Sequence, residues 1–457
     1  MSQPKVTRRD VLGGIAVSAL LPRVVLAQAG FDLRARRKTL EVNGRAASVL
    51  ELASGNGAPG VRLRPGERFV AALTNEAGEP TLIHWHGQTP PTEQDGVPGL
   101  SQPALGPAAS YAYDFAPRPG THWMHSHVGL QEQRLLAAPM IVESAQDAGQ
   151  DEQEIVLFLQ DFTFRAPEEI LAELMAGGGA HAAHAAHGMR ALNDVEHDAV
   201  LANERTLDDP EVVSVEAGGR VRLRVINATA STNLWLDLGA LEGVVVAVDG
   251  DAVAPVAGSL FPLAIAQRLD VRVTVPGSGA WAILALREGG AERTGIMLAT
   301  TGAAITRHAS KGEAKAPAVD LGLERRLSAV TGLASRPADR TIDIALTGGG
   351  ADYVWGINGR RYGEGAPITL GLGERVHLVL RNETTMAHPM HLHGHHFQVV
   401  AIDGTALLGA VRDTVLVPIE GTVTVAFDAN NPGRWALHCH NLYHMDAGMM
   451  AELAYQG

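Results

Sequence analysis

Four short stretches of the chain share one arrangement, two imidazoles separated by a single residue: His84-Trp85-His86, His125-Ser126-His127, His391-Leu392-His393 and His438-Cys439-His440. In an extended strand residues i and i+2 face the same side, so each stretch presents its two imidazoles together. One such pair alone would more often be structural. Eight imidazoles in four pairs do not suit core packing, because unpaired polar groups are costly to bury, and they indicate metal binding. Cys439 leaves the opposite face of the strand that carries His438 and His440. His444 follows it by five residues and Met449 by ten, and His388 shortly precedes His391. Two imidazoles, a thiolate and a weak axial thioether make a blue-copper electron-transfer site. Zinc also accepts thiolate and imidazole, but it would explain neither Met449 nor a strand shared with a second cluster.

The elements that must position these residues come from an internal repeat. Gly66-Glu67-Arg68-Phe69 leads to Asn75, Gly218-Gly219-Arg220-Val221 to Asn227, and Gly373-Glu374-Arg375-Val376 to Asn382, each arginine preceding its asparagine by seven residues. Val221, Leu223 and Val225 alternate with arginines, and Val376, Leu378 and Leu380 recur at the same spacing of two, which marks half-buried strands. A second feature recurs at Gly120, Gly279 and Gly433, each opening a similar stretch near the end of its copy. Helical periodicity is scarce outside Pro167–Met175, and 51 glycines and 24 prolines punctuate short strands. The expected fold is all-β, three consecutive Greek-key β-sandwiches.

Aligning the copies shows where chemistry was placed. Nine residues after the repeat asparagine, the first copy has His84 and His86, the third His391 and His393, and the second Leu236 and Leu238. At the terminal strand His125/His127 and His438/His440 align with Leu284 and Leu286. The middle unit is therefore expected to bind no catalytic metal and to serve as a spacer.

Composition narrows the remaining classes. A formal charge of −13 argues against nucleic acid, which needs a basic face. Cys439 is the single cysteine, so no intrachain disulfide is possible. Lys5, Arg8 and Arg9 precede an apolar run from Val11 to Leu21 and an Ala27-Gln28-Ala29 cleavage pattern, a targeting leader too short to span a bilayer. Thr7-Arg8-Arg9-Asp10-Val11-Leu12 is similar to a twin-arginine signal, and export to the periplasm is expected. The expected layout is a leader over 1–29, units over 30–145, 154–302 and 339–457, and a linker over 303–338. Residues 177–197 insert His181, His184, His187 and His197 among alanines and glycines. The plain reading is a flexible linker; the sharper one is a copper-collecting loop. His122, His308, His377, His395 and His396 need no metal role.

These motifs resemble the multicopper oxidase family of laccases, bacterial cuprous oxidases and ascorbate oxidase, over nearly the whole mature chain. The resemblance implies cupredoxin-like units and four copper ions. His388, Cys439, His444 and Met449 would hold type 1 copper, with Met449 implying a low to moderate potential. His84 and His391 would hold type 2 copper; His86, His125, His127, His393, His438 and His440 would hold the type 3 pair. Electrons would pass through Cys439 into His438 and His440, reducing O2 to water. Asp95, in Glu93-Gln94-Asp95-Gly96, matches a family aspartate near the cluster that serves proton supply, although its plain reading is a turn residue. Some relatives place a glutamate directly after the last copper histidine; here that position is Met445, followed by Asp446. Every ligand position is filled, so a working enzyme is expected, acting as a monomer without a membrane span. Its expected donors are phenols and aromatic amines, approaching an exposed edge of His444 or His388. The alternative is a metallo-oxidase of Cu(I) or Fe(II). A non-enzymatic envelope protein and a copper nitrite reductase are disfavoured.

Overall fold

The structure is a computed structural model, and it describes residues 30–177 and 192–456. The leader and His181, His184 and His187 of the insertion lie outside the described residues.

Each of the three repeat strands forms where the alternation places it: Phe69–Glu76, Arg220–Asn227 and Arg375–Asn382. Each has the same two neighbours in its sheet. It runs parallel to the first strand of its unit (Phe31–Val42, Gln153–Phe162 or Arg340–Gly349). On the other side it is antiparallel to Ser110–Phe115, Arg268–Thr274 or Thr422–Asp428. The repeated asparagines close these strands by one device. The Asn75 amide donates to the carbonyls of Glu79 and Leu105, Asn227 to those of Thr232 and Leu263, and Asn382 to those of Met386 and Val417. All three asparagines are buried, and each bond gives a donor to a carbonyl at the turn or strand that the asparagine holds.

A second sheet packs over each of these. In the first unit it is ordered Val61–Leu63, Ala137–Val142, Gly120–Ser126, Ile83–His86. The middle and third units have five-stranded counterparts. Between the layers lie three apolar cores, built around Leu73 and Trp85, around Leu223 and Leu236, and around Leu378 and Trp435. The fold is therefore all-β, three cupredoxin-like sandwiches in sequence. The expected helix forms over Pro167–Met175, opened by Pro167 and two acidic residues and burying Ile170 and Leu174. A second short helix, Leu442–Asp446, was not legible from periodicity. It is nucleated by Asn441, whose side chain accepts from the amides of Tyr443 and His444. Across residues 303–338 regular structure lapses apart from the turn Glu324–Arg326, yet Leu321, Leu323 and Leu327 are buried. Among the described residues no helix is long and apolar enough to cross a membrane.

Candidate metal centre

Strand pairing sets the histidines against one another. Ile83–His86 pairs with Gly120–Ser126 so that His84 lies opposite His125. His388–Leu392 pairs with Arg434–Cys439 so that His391 lies opposite His438. In the middle unit the residue opposite Leu236 is Ala285, not Leu284. The alignment of Leu284 and Leu286 with the outer histidines is thus one residue out. Ala285 is six residues after Gly279, whereas His125 and His438 are five after Gly120 and Gly433. A one-residue slip turns every side chain to the other face. The slot remains apolar, filled by Leu236, Leu238 and Ala285, all fully buried.

The eight outer imidazoles converge between the first and third units. They form three groups with ligand atoms close enough for one ion each: His84, His86 and His391; His86, His125 and His440; His127, His393 and His438. The Nε2 atoms of His84 and His391 are 3.4 Å apart, those of His393 and His438 3.0 Å, and those of His127 and His438 3.4 Å. Outward nitrogens are tied to oxygens. His84 Nδ1 donates to the Asp95 carbonyl (2.8 Å), His391 Nδ1 to that of Asp413 (2.8 Å), and His438 Nδ1 to that of Cys439 (2.9 Å). With one nitrogen donating outward, the other presents its lone pair inward, as a metal requires. His86 Nδ1, His125 Nε2 and His440 Nε2, the inward atoms of one group, are buried without a protein partner. Burial, reinforced by neighbouring imidazoles, pushes His86, His127, His391, His393 and His440 well below the usual histidine range, and His438 to about 3. Neutral rings are the ligating form. The donor set fits copper ions.

Three carboxylates surround this cluster. Asp95 is buried; Oδ2 accepts from His393 Nδ1 at 2.8 Å and Oδ1 lies 3.3 Å from His84 Nδ1. Its loop is pressed onto the His84 strand, for a side chain at Gly96 (φ +85°) would collide with the Ile83 carbonyl. Asp413 and Glu132 escaped the sequence reading. Asp413 Oδ1 accepts from His86 Nε2 at 3.0 Å. Glu132 Oε2 lies 2.8 Å from His125 Nδ1 and Oε1 3.9 Å from His440 Nδ1, and burial pushes its carboxyl well above the usual range. The only signal for Glu132 was its place five residues after His127. Asp446, the other candidate acid, is exposed at the end of its helix.

A second donor group lies on the far side of the Cys439 strand. Cys439 Sγ is 3.5 Å from His388 Nδ1 and 3.7 Å from His444 Nδ1, and these two nitrogens are 3.2 Å apart. Burial pushes the Cys439 thiol up, so a bound metal must displace its proton. Met449 is buried in the same core, and its carbonyl accepts from the Cys439 amide at 3.0 Å. His388 Nε2 donates to the Thr384 hydroxyl (2.7 Å), which is bonded in turn to the repeat asparagine Asn382. His444 Nε2 donates to Asp194 Oδ2 at 2.9 Å, and the Tyr353 hydroxyl donates to the same oxygen. Trp355 stacks on His444 at 4.0 Å. His388 and His444 are both fully buried, so the open histidine edge expected for phenols is absent from this conformation. Asp194 was not foreseen, since nothing in sequence ties a middle-unit aspartate to the third unit. His197 fits neither the linker reading nor the copper-collecting one: its side chain is only 3% exposed, 3.1 Å from Gln133 Oε1 and 3.5 Å from Asp161. His122 and His395 bond to the carbonyls of Pro119 and His393 and join no metal group.

A soft thiolate group and a multi-imidazole cluster, joined by one strand of a cupredoxin-like scaffold, define a copper-dependent oxidoreductase. Comparison with known proteins agrees. Three family models described as multicopper oxidase match residues 35–147, 153–310 and 335–456. Multicopper oxidase MmcO of Mycobacterium tuberculosis is 33% identical over 431 residues, covering 89% of this chain and 83% of that protein. Copper resistance protein A of Escherichia coli is 26% identical, covering 93% and 92%. Among solved structures, a multi-copper oxidase from Pseudomonas thermotolerans matches with TM-score 0.71 and 26% identity, covering 93% of this chain and 99% of that one. Fet3p, a multicopper oxidase that functions in iron import, shares the fold (TM-score 0.76, 20% identity, covering 93% and 90%). The chain belongs to the multicopper oxidase family. It is a copper oxidoreductase with O2 as acceptor.

Proposed function

We propose that the chain couples four one-electron oxidations of a donor to reduction of O2 to water, with four coppers in two sites. The type 1 copper would be held by His388, Cys439, His444 and Met449, and the type 2 copper by His84 and His391. The type 3 pair would be held by His86, His125 and His440 on one side and His127, His393 and His438 on the other. When bound, copper supplies the one-electron acceptor at the thiolate site and the multi-electron reductant for O2 at the cluster. The observation that carries the reading is the Cys439 strand, which joins the thiolate group to the cluster through His438 and His440, its immediate neighbours in the chain. A covalent path of a few bonds therefore links electron entry to O2 reduction. Asp95 holds His393 and lies against His84, the position from which a carboxyl serves proton supply. The leader-like residues 1–29 support export to the periplasm.

Small organic reductants such as phenols and aromatic amines remain donors for such a site once the His444 edge is uncovered. A metal cation is the second reading, favoured by one observation: the group on the Nε2 edge of His444 is the Asp194 carboxylate, which suits a cation better than a neutral ring. Steady-state kinetics with Cu(I), Fe(II) and a phenol on copper-loaded enzyme separate the two. For a cation donor, Asp194→Ala raises KM for the metal and leaves or improves phenol turnover. Loss of both substrates in parallel would remove the cation reading.

A further inference from the structure

Among the described residues the middle unit contributes no side chain to the donor groups, yet one of its side chains reaches under the cluster. Arg268 begins the strand Arg268–Thr274 and is fully buried. Its guanidinium stands where all three units meet. Nε donates to the Thr121 carbonyl of the first unit at 3.1 Å, and Nη1 donates to the Ala266 carbonyl of its own unit at 3.0 Å. Nη1 and Nη2 grip the two carboxylate oxygens of Asp413, in the third unit, at 2.7 and 2.5 Å. Asp413 in turn accepts from His86 Nε2 through its side chain and from His391 Nδ1 through its carbonyl. The packing leaves no slack. A side chain at Gly87, the residue after His86, would lie 2.5 Å from Arg268 Nη2 and 2.9 Å from Asp413 Oδ2.

This arrangement accounts for a feature that separates His86 from its partners. His84, His391, His393 and His438 give their Nδ1 to oxygen and turn Nε2 inward. His86 does the reverse, with Nε2 on Asp413 and Nδ1 left as the buried, unpartnered atom facing His125 and His440. Which nitrogen of a histidine faces a metal is set by the bond its other nitrogen makes. Asp413 sets that choice for His86, and a carboxylate on a flexible side chain holds one orientation only if its own oxygens are fixed. The planar guanidinium fixes both at once and keeps further N–H groups for the carbonyls of two units; an ammonium has three donors and no fork.

We infer that Arg268 is a positioning residue of the trinuclear site: by clamping Asp413 it fixes His86 in the Nδ1-inward orientation. The middle unit thus locks together ligands that the first and third units supply. The inference rests on the reading of His86, His125 and His440 as a copper site. The test compares copper-loaded parent, Arg268→Lys and Arg268→Met by elemental analysis, visible absorption, electron paramagnetic resonance and thermal unfolding. Arg268→Lys retains the blue absorption at Cys439. It loses cluster copper to a chelator about 10–100-fold more readily than the parent, the range seen when a residue behind a metal ligand is removed. A magnetically uncoupled copper signal accompanies that loss, and Arg268→Met shows both effects more strongly. A folded Lys variant with the parent's cluster retention and spectrum would overturn the inference. So would a Lys variant that fails to fold or loses the blue site too, since Arg268 would then be a general docking residue. A parent without a coupled copper pair would instead remove the reading on which the inference rests.

Discussion

The middle unit and the two outer units share a strand framework and differ in what fills it. In all three, an asparagine closes the repeat strand by donating to two backbone carbonyls, and the same parallel and antiparallel neighbours flank it. Where the outer units place His84, His125, His391 and His438, the middle unit places Leu236 and Ala285 inside its own core. The framework is thus indifferent to the chemistry it carries, and the imidazole slots are cavities that apolar side chains fill equally well. Losing the metal slots did not make the middle unit a passive spacer, however. Arg268 and Asp194 cross from it to Asp413 and His444 of the third unit.

The sharpest break in this comparison is at the strand the middle unit cannot imitate. Cys439→Ser should abolish the blue absorption and O2 uptake together, while the coupled copper pair still loads. A blue Cys439→Ser enzyme would show that the thiolate group is misassigned. Next comes a graft of an outer residue into the middle unit. Leu236→His buries an imidazole in a leucine core with no second ligand nearby. It should bind no extra copper and cost about 3–5 kcal/mol, combining lost apolar burial with an unpaired polar group. Copper bound at position 236 would refute the apolar role of that slot.

The third prediction tests what the units have in common. Asn75→Ala, Asn227→Ala and Asn382→Ala should each cost about 1–3 kcal/mol, because each strands buried carbonyls without a donor. Asn382→Ala should also alter the blue spectrum, since Thr384 bridges Asn382 to His388. A harmless Asn227→Ala would mean that the repeat is not one structural device.

The smallest effect belongs to the middle unit and depends on pH. Glu288 is buried, accepts from Asn233 and the Val319 amide, and is pushed up to about 7 chiefly by desolvation. A carboxyl that binds its proton more tightly when folded gives stability that is full below its unfolded pKa, near 4.5, and lost as pH rises through about 7. Glu288→Gln removes that titration. It should gain about 2–4 °C in Tm at pH 8 relative to its effect at pH 5, measured by calorimetry. An equal effect at both pH values would show that Glu288 is not protonated in the fold.

Strand identity, the threefold repeat and the His-x-His pairs were all legible in the chain because they depend on spacing of two and on local alternation. Residues two apart face one side of a strand whatever the rest of the molecule does. The thiolate group proposed to hold type 1 copper was legible for a related reason: Cys439, His444 and Met449 lie close in sequence, and only His388 comes from another strand. The one-residue slip at Ala285 was not legible, because register is decided by the partner strand rather than by the motif that opens the strand. Glu132, Asp413, Arg268 and Asp194 were invisible for a stronger reason. A lone charged residue carries no periodic signal, and its partner across a unit boundary can be more than 100 residues away, as Arg268 is from Asp413. Local sequence therefore determined which atoms can bind copper. Only the docking of the three units decided which nitrogen of His86 faces inward and what covers His444, because both depend on burying a charge where another unit can pair with it.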